Sequence, residues 1–402
     1  MIQKKNLNII LLLTGRMVSQ FGFVLYITAL PLHMLKLTNS LAAVGILLSV
    51  SSIPAVLITP FLGVWIERAN RKYFMVACDI LSGVSYVVIL LGCLTKLLNP
   101  IILAIVVTVI NLIYSVFDIA STMLFSEEAN ANSLERYNGI KSLIENGIAI
   151  IGPAAASVIY GMFGFCTIAL IAAMSYFASA IQECFIQYQK KEQPIERHRY
   201  WKEMADGVAY ICNKKDILII CILSMSLNFF LGNSDEVICP GILIHKYQIP
   251  AELFGLSSSA WVLGALLGSA FILKNKRLNL KENMHRLLIL YAQIMIVVGV
   301  LSLFMTKHPY EYFIIFLFCQ LLCSAVITCV NVPLWSYLQT NVELNYQGRF
   351  FSIQSFISNI STPLGIFYTG YLADLFGADW AYLLNSLCII VIVLIHKPKL
   401  QT

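Results

Sequence analysis

Apolar residues run through the chain in twelve long blocks separated by mostly short polar connections, at 9–33, 40–66, 73–95, 101–125, 138–162, 165–188, 216–244, 252–273, 285–306, 311–338, 347–372 and 376–396. A hydrocarbon core about 30 Å thick takes roughly 20 predominantly apolar residues as a helix. Each block therefore predicts one membrane-spanning α-helix. Positive charge between the blocks is uneven. Of 27 Lys and Arg residues, one set of alternate connections holds only Lys36, Lys96, Lys246 and Lys307, Arg16 lies inside the first block, and the rest fall in the opposite set, at helix ends beside it, or at the termini. Basic residues concentrate on the cytoplasmic side, so both termini of this multi-pass protein are expected in the cytoplasm, beneath a cell membrane of bacterial type.

The longest connection, 189–215, divides the blocks six and six. This predicts an N-terminal six-helix bundle over 1–188, a cytoplasmic linker over 189–215 and a C-terminal six-helix bundle over 216–402. Within the linker Trp201, Met204, Ala205, Val208, Ile211 and Cys212 recur at helical spacing, with Lys202, Glu203, Asp206 and Asn213 on other faces. That is the pattern of an amphipathic helix lying on a membrane surface. The halves also repeat one another. Gly45 recurs as Gly255, and Tyr137, Gly139, Pro153 and Gly161 recur as Tyr346, Gly348, Pro363 and Gly370, always 209 or 210 positions later. The fold class expected is all-α, with two pseudo-symmetric bundles and a substrate cavity near mid-membrane, as in many secondary transporters.

Composition excludes the soluble classes. With 59% hydrophobic and 12% charged residues, the excess apolar surface must face lipid. The net charge of +6 sits in loops that report topology and meet anionic headgroups, so nucleic acid is not an expected partner. The eleven Cys mostly fall inside apolar blocks and form no C-x-x-C pair, so neither a zinc site nor another metal is expected. Lys4 and Lys5 before an apolar run resemble a signal peptide, but hydrophobicity continues past Arg16 to Pro31 without an A-x-A site. A retained first helix is the expectation.

After the second block comes Gly63-Val-Trp-Ile-Glu67-Arg68-Ala-Asn70-Arg71-Lys72, with Asp79 further on. A small residue at 63 permits close helix approach, Glu67 supplies an acid, and Arg68, Arg71 and Asp79 can form a charge cluster that latches one conformation. The segment resembles the cytoplasmic loop signature of the major facilitator superfamily, G-x-x-x-D-R-x-G-R-K, with Glu for Asp and Asn for the second Gly. The fifth block carries Gly139, Gly147, Gly152-Pro153 and then Ala154-Ala155-Ala156-Ser157. It is similar to the fifth-helix motif of that superfamily's antiporters, although the usual closing Gly pair is Ala156-Ser157 and the middle Gly is displaced by one position. Asn345-Tyr346-Gln347-Gly348-Arg349-Phe350-Phe351-Ser352 and the stretch from Trp201 to Tyr210 resemble the macrolide-efflux-type members. The resemblance implies export of amphipathic compounds, driven by the proton gradient.

A charge on a membrane helix costs about 2.5–3.5 kcal/mol on insertion scales, so it normally faces a cavity or a partner. Arg16 in the first block and Asp118 in the fourth each lie about seven residues from the cytoplasmic end, at about 1.5 Å rise per residue. Glu145 in the fifth block has similar depth and competes for Arg16. A structural ion pair and a proton-coupling site are both open readings. Asp235 and Glu236, in the outer third of the seventh block, are further coupling candidates or solvated mouth residues. In the superfamily, helices one, four, seven and ten line the cavity. The resemblance therefore implies Gln20, Tyr26, Asn111, Tyr114, Asn228, Asn233, Gln320 and Asn331 as wall residues, with Phe117, Phe229 and Trp335 adding aromatic surface.

The sequence contains no H-E-x-x-H, G-x-S-x-G or P-loop motif, so an enzyme or a nucleotide-driven pump is not expected, and neither is a cofactor. The expected partners are a small amphipathic substrate, protons and membrane lipids, around a monomer. Import or facilitated diffusion by the same fold is the competing function.

Overall fold

The computed structural model describes residues 2–68, 70–128, 131–188, 200–231, 234–274 and 280–400. Asn233 lies outside these residues, and so do the side chains of Glu67, Arg68, Tyr137, Trp201 and Asp235; Gly63 is described as helical backbone only. The elements are α1 (Ile2–Thr38), α2 (Leu41–Arg68), α3 (Arg71–Leu94), α4 (Pro100–Glu128), α5 (Ala131–Cys184), α6 (Tyr200–Asn213), α7 (Lys215–Leu231), α8 (Ala251–Lys274), α9 (Leu280–Phe304), α10 (Pro309–Asn341), α11 (Leu344–Phe376) and α12 (Ala378–Leu400). Regular structure among the described residues is helical throughout. Lipid offers backbone N–H and C=O groups no partners, and a helix satisfies them within its own segment.

Among the described residues, ten stretches are long and apolar enough to cross a membrane. One of them, Asn138–Cys184, has 47 residues and contains two crossings, because α5 breaks at Gly164 with φ 77° and ψ 179°. A Cβ is strongly disfavoured at that φ, so glycine sits at the corner, between the predicted blocks 138–162 and 165–188. Helix α11 spans 33 residues but is diluted by Ser355, Ser358, Asn359, Ser361 and Thr362. With α11 and both arms of α5 included, twelve membrane helices result. After α7 come two π-helical turns, Ser234–Ile238 and Pro240–Lys246. The wide turn is visible where the Tyr247 N–H reaches the Ile242 carbonyl at 2.9 Å, and Pro240, which has no N–H to donate, opens it.

The chain forms two compact units. Unit 1 comprises Met1–Asn39, Leu47–Gln193 and Pro250–Ser259, and unit 2 comprises Ser40–Ile46, Pro194–Ile249 and Ala260–Thr402. The first turns of α2 thus pack with unit 2 and those of α8 with unit 1. In unit 2, a Cβ added at Gly45 would stand 2.8 Å from the Ile366 carbonyl oxygen and 3.1 Å from Gly370 Cα. Asp374 on α11 accepts from the Leu41 N–H and from the Ser40 hydroxyl, each at 2.6 Å, an acidic group at a helix N-terminus. In unit 1, Gly255 presses so closely on α5 that a Cβ would overlap the Pro153 carbonyl, and the Ser259 hydroxyl donates to the Ile150 carbonyl at 2.6 Å. The sequence repeat therefore has a packing meaning. Gly45 and Gly255 are repeat partners, and each lets the start of its helix lie against the backbone of a Pro-containing helix.

Within unit 1, α1 and α3 both pack along α5. Leu12, Leu62, Ile66, Met75, Cys78, Phe117, Ala120, Leu124 and Ile186 form a shared core at the end carrying the basic loops. In unit 2, α9 packs between α10 and α12, and α7 against α11. The predicted linker helix forms as α6 and docks on the start of α11. Tyr210 stacks on Tyr346 with ring centroids 4.5 Å apart, the Glu343 N–H donates to the Tyr210 hydroxyl, and Gly207 sits over Ile353.

Candidate functional site

Arg16 is the basic residue enclosed by the apolar part of α1, and each of its three guanidinium nitrogens donates a hydrogen bond. Nη2 donates to Asp118 Oδ1 at 2.7 Å, Nε to Glu145 Oε1 at 3.2 Å and Nη1 to Ser121 Oγ at 2.6 Å. One cation thus joins α1 to α4 and to the first arm of α5, and both carboxylates that compete for it by depth reach it together. Lys141, one turn before Glu145, approaches the same carboxylate at 3.8 Å. Arg16, Lys141, Ser121, Leu12, Leu13 and Phe125 line a small cavity in unit 1. The Arg16 side chain is 17% exposed, against 46% for Asp118 and 32% for Glu145, so the acids are more open than the cation they hold. Ser121 and Lys141 were not foreseen from the sequence. The signal was available in their position one helical turn from Asp118 and from Glu145.

The predicted wall residues of unit 1 are distributed along this face and behind it. Tyr114 lies one turn before Asp118 and stacks on Phe23 with centroids 4.5 Å apart. Asn111 donates to the Ser51 carbonyl of α2 at 3.2 Å. Gln20 is partly buried, whereas Tyr26 is fully buried against Tyr86 and Phe165. In unit 2, Asn228 donates to the Ser224 carbonyl within its own helix, Gln320 is buried with its amide near Cys239 Sγ, and Asn331 is exposed. Trp335 stacks on Phe351. Glu236 is partly buried within the first of the two π turns that follow α7.

Of the loop signature, the structure describes the side chains of Arg71, Lys72 and Asp79, while those of Glu67 and Arg68 lie outside the described residues. Arg71 pairs with Glu127 at the end of α4, Tyr188 donates to the same carboxylate at 2.8 Å, and Lys72 donates to the Cys184 carbonyl at 2.7 Å. Asp79 takes no part in the described ion pairs and is completely buried. It lies two helical turns beyond Arg71 on α3, and the acid that meets Arg71 is Glu127, which sequence reading did not single out. In the antiporter-like segment, Gly152 sits against Val24 of α1 and Pro153 against Gly255, while Gly147 has open space where a Cβ would stand.

Among the described residues, no group of three or more His, Cys, Asp or Glu could hold a metal ion. The arrangement offers charge pairing and proton exchange inside a membrane bundle.

The family model described as Major Facilitator Superfamily matches residues 12–366. The chain is 24% identical over 396 residues to an uncharacterised MFS-type transporter, YfiS, of Bacillus subtilis (strain 168), covering 96% of this chain and 91% of that protein. It is 21% identical over 394 residues to macrolide efflux protein A of Streptococcus pyogenes, covering 95% and 93%. Among solved structures, a bacterial homologue of the iron transporter ferroportin in its inward-facing state superposes with a TM-score of 0.76 at 16% identity, over 97% of this chain and 98% of that one.

Proposed function

From the premise that this chain belongs to the Major Facilitator Superfamily, and is a multi-pass membrane transporter, we propose that it exports hydrophobic or amphipathic small molecules in exchange for protons by alternating access. It works in the cell membrane with both termini in the cytoplasm. The observation that carries the reading is Arg16 shared between Asp118 at 2.7 Å and Glu145 at 3.2 Å. A proton landing on either acid removes half of the charge that holds the guanidinium. Arg16 then binds the other acid more tightly, so protonation shifts the link of α1 from α4 towards α5 or the reverse. A two-state element biased by a proton is what coupling requires. The partly exposed acids give the proton a way in, and the aromatic and amide groups of Tyr114, Phe23 and Asn111 suit an amphipathic ligand, whose binding comes mostly from apolar walls with a few orienting polar groups. Similarity to a macrolide efflux protein supports export as the direction.

The test is a susceptibility and accumulation screen in cells with the chain expressed or deleted, across macrolides and other amphipathic compounds, repeated with Asp118→Asn and Arg16→Ala. Expression should lower intracellular accumulation of at least one compound, and both variants should abolish the effect at wild-type protein levels. Normal transport by both variants would contradict the assigned site.

A further inference from the structure

Two acids outside the Arg16 network meet in the interior of unit 1. Asp79 on α3 and Glu183 on the second arm of α5 are each 0% exposed. None of their four carboxyl oxygens has a hydrogen-bond partner, and their helices are pressed together there, with the Phe177 ring on Gly83 one turn beyond Asp79, so that the charge of Asp79 acts on Glu183. Ser179, one turn before Glu183 and itself fully buried, brings its hydroxyl beside Asp79 without forming a hydrogen bond of good geometry. From α1, Gly15 closes the site, since a Cβ there would stand 3.2 Å from Ser179 Oγ and 3.7 Å from Glu183 Cγ.

Among the described residues, the surroundings supply no free cation. On α1, Arg16 follows Gly15 but is spent on Asp118, Glu145 and Ser121. On α3, Arg71 pairs with Glu127 of α4 and Lys72 donates to the Cys184 carbonyl. The remaining titratable neighbours among the described residues are the Cys78 and Cys184 thiols and the Tyr176 phenol, none of which carries positive charge. Two ionised carboxylates in such a place would each lack solvation and would repel one another. A proton shared between them removes the repulsion and one of the two charges, and an O–H of one carboxyl facing the other would stabilise the charge that remains.

We propose that Asp79 and Glu183 form a second proton-binding site of unit 1, separate from the Arg16 network. The site lies where α1, α3 and the second arm of α5 pack through small residues, Gly15 and Ser179 among them, so a modest shift of α1 exposes or seals it. On the reading of proton-driven export, on which its role in transport rests, this pair holds a proton while the Arg16 network rearranges. The two acids titrate as a unit.

The experiment is infrared difference spectroscopy of the full chain in lipid vesicles during a pH jump, reading the C=O stretch of protonated carboxyl groups. Wild type should show a protonated-carboxyl band at neutral pH that shifts in Asp79→Asn and in Glu183→Gln and disappears in the double variant. Identical bands in wild type and the double variant would overturn the proposal, as would displacement of the band by sodium or a divalent cation at constant pH, which would make the site a metal site. Folding is read separately by thermal unfolding. The double variant removes two buried acids without counter-ions and should be at least as stable as wild type, whereas a marked loss of stability would mean that ionised carboxylates are paired there. The double variant should also lose efflux driven by an imposed pH gradient. A wild type that carries the band but ignores such a gradient would contradict proton-driven export and leave the proton site supported.

Discussion

Arg16 and Asp118 lie 102 positions apart and meet at 2.7 Å inside a bundle of apolar helices. Breaking a fully buried ion pair costs about 3–5 kcal/mol, because the surviving charge is stranded. Here the Asp118 side chain is 46% exposed, so Arg16→Ala is expected to cost less, about 1–3 kcal/mol, after screening is allowed for. Arg16→Lys keeps the charge but lacks the fork that reaches Asp118, Glu145 and Ser121 at once. Thermal unfolding in detergent should rank wild type above Lys and Lys above Ala, with efflux falling in the same order.

The glycines of α5 and α8 make opposite predictions. At Gly255 a Cβ would run into the Pro153 carbonyl, and overpacking costs about 1–3 kcal/mol. Gly147 has open space around the added atom, and Gly to Ala inside a helix stabilises by about 0.5–1 kcal/mol. Gly255→Ala should therefore lower the unfolding temperature and Gly147→Ala should raise it slightly. A large loss at Gly147 would mean that this position serves a state in which another helix comes closer.

In unit 2, Lys246 reaches Asp379, and Ser302 donates to the same carboxylate. The Asp379 side chain is only 10% exposed. Removing it leaves the ammonium with the Ser302 carbonyl at 2.8 Å but no counter-ion, so Asp379→Ala should cost about 2–3 kcal/mol. The double variant Lys246→Met/Asp379→Leu should recover much of that loss. A double-mutant cycle on thermal unfolding checks this, and strictly additive losses would mean that the pair is uncoupled.

Helix α6 offers a pH test outside the membrane. Hydrogen bonds to Glu343 and Tyr210 raise the Lys214 ammonium to about 12. A raised lysine contributes fully below its unfolded value of about 10.4 and loses that contribution as pH climbs through the folded one. Docking of α6 on α11 should therefore be constant from weakly acidic to weakly alkaline pH and loosen only in strong alkali. Hydrogen exchange across 205–213 reads this directly, and Glu343→Gln should speed exchange already at neutral pH.

Hydropathy and the placement of basic residues are local properties, and they made the twelve helices and the linker helix readable from sequence. Arg16, Asp118 and Glu145 were also readable, because equal depth in three apolar blocks follows from counting residues. Which helices are neighbours does not follow from counting. Glu127 ends α4 like any solvated acid, and only the packing of α3 beside α4 brings Arg71 to it. Asp79 reads as part of the loop signature, but two helical turns carry it into the bundle, where the partner it meets comes from α5. The division of α2 between the units was hidden for the same reason. Gly45 and Gly370 are ordinary small residues until α2 and α11 lie against each other.

The central claim, proton-driven export, is tested most directly by the efflux of a labelled macrolide from vesicles containing the purified chain under an imposed pH gradient. Wild type should move the compound against its own gradient in proportion to the proton gradient, stop when a protonophore collapses it, and lose this drive in Asp118→Asn. Flux that merely equilibrates the compound and ignores the pH gradient, or that runs inward, would contradict the account.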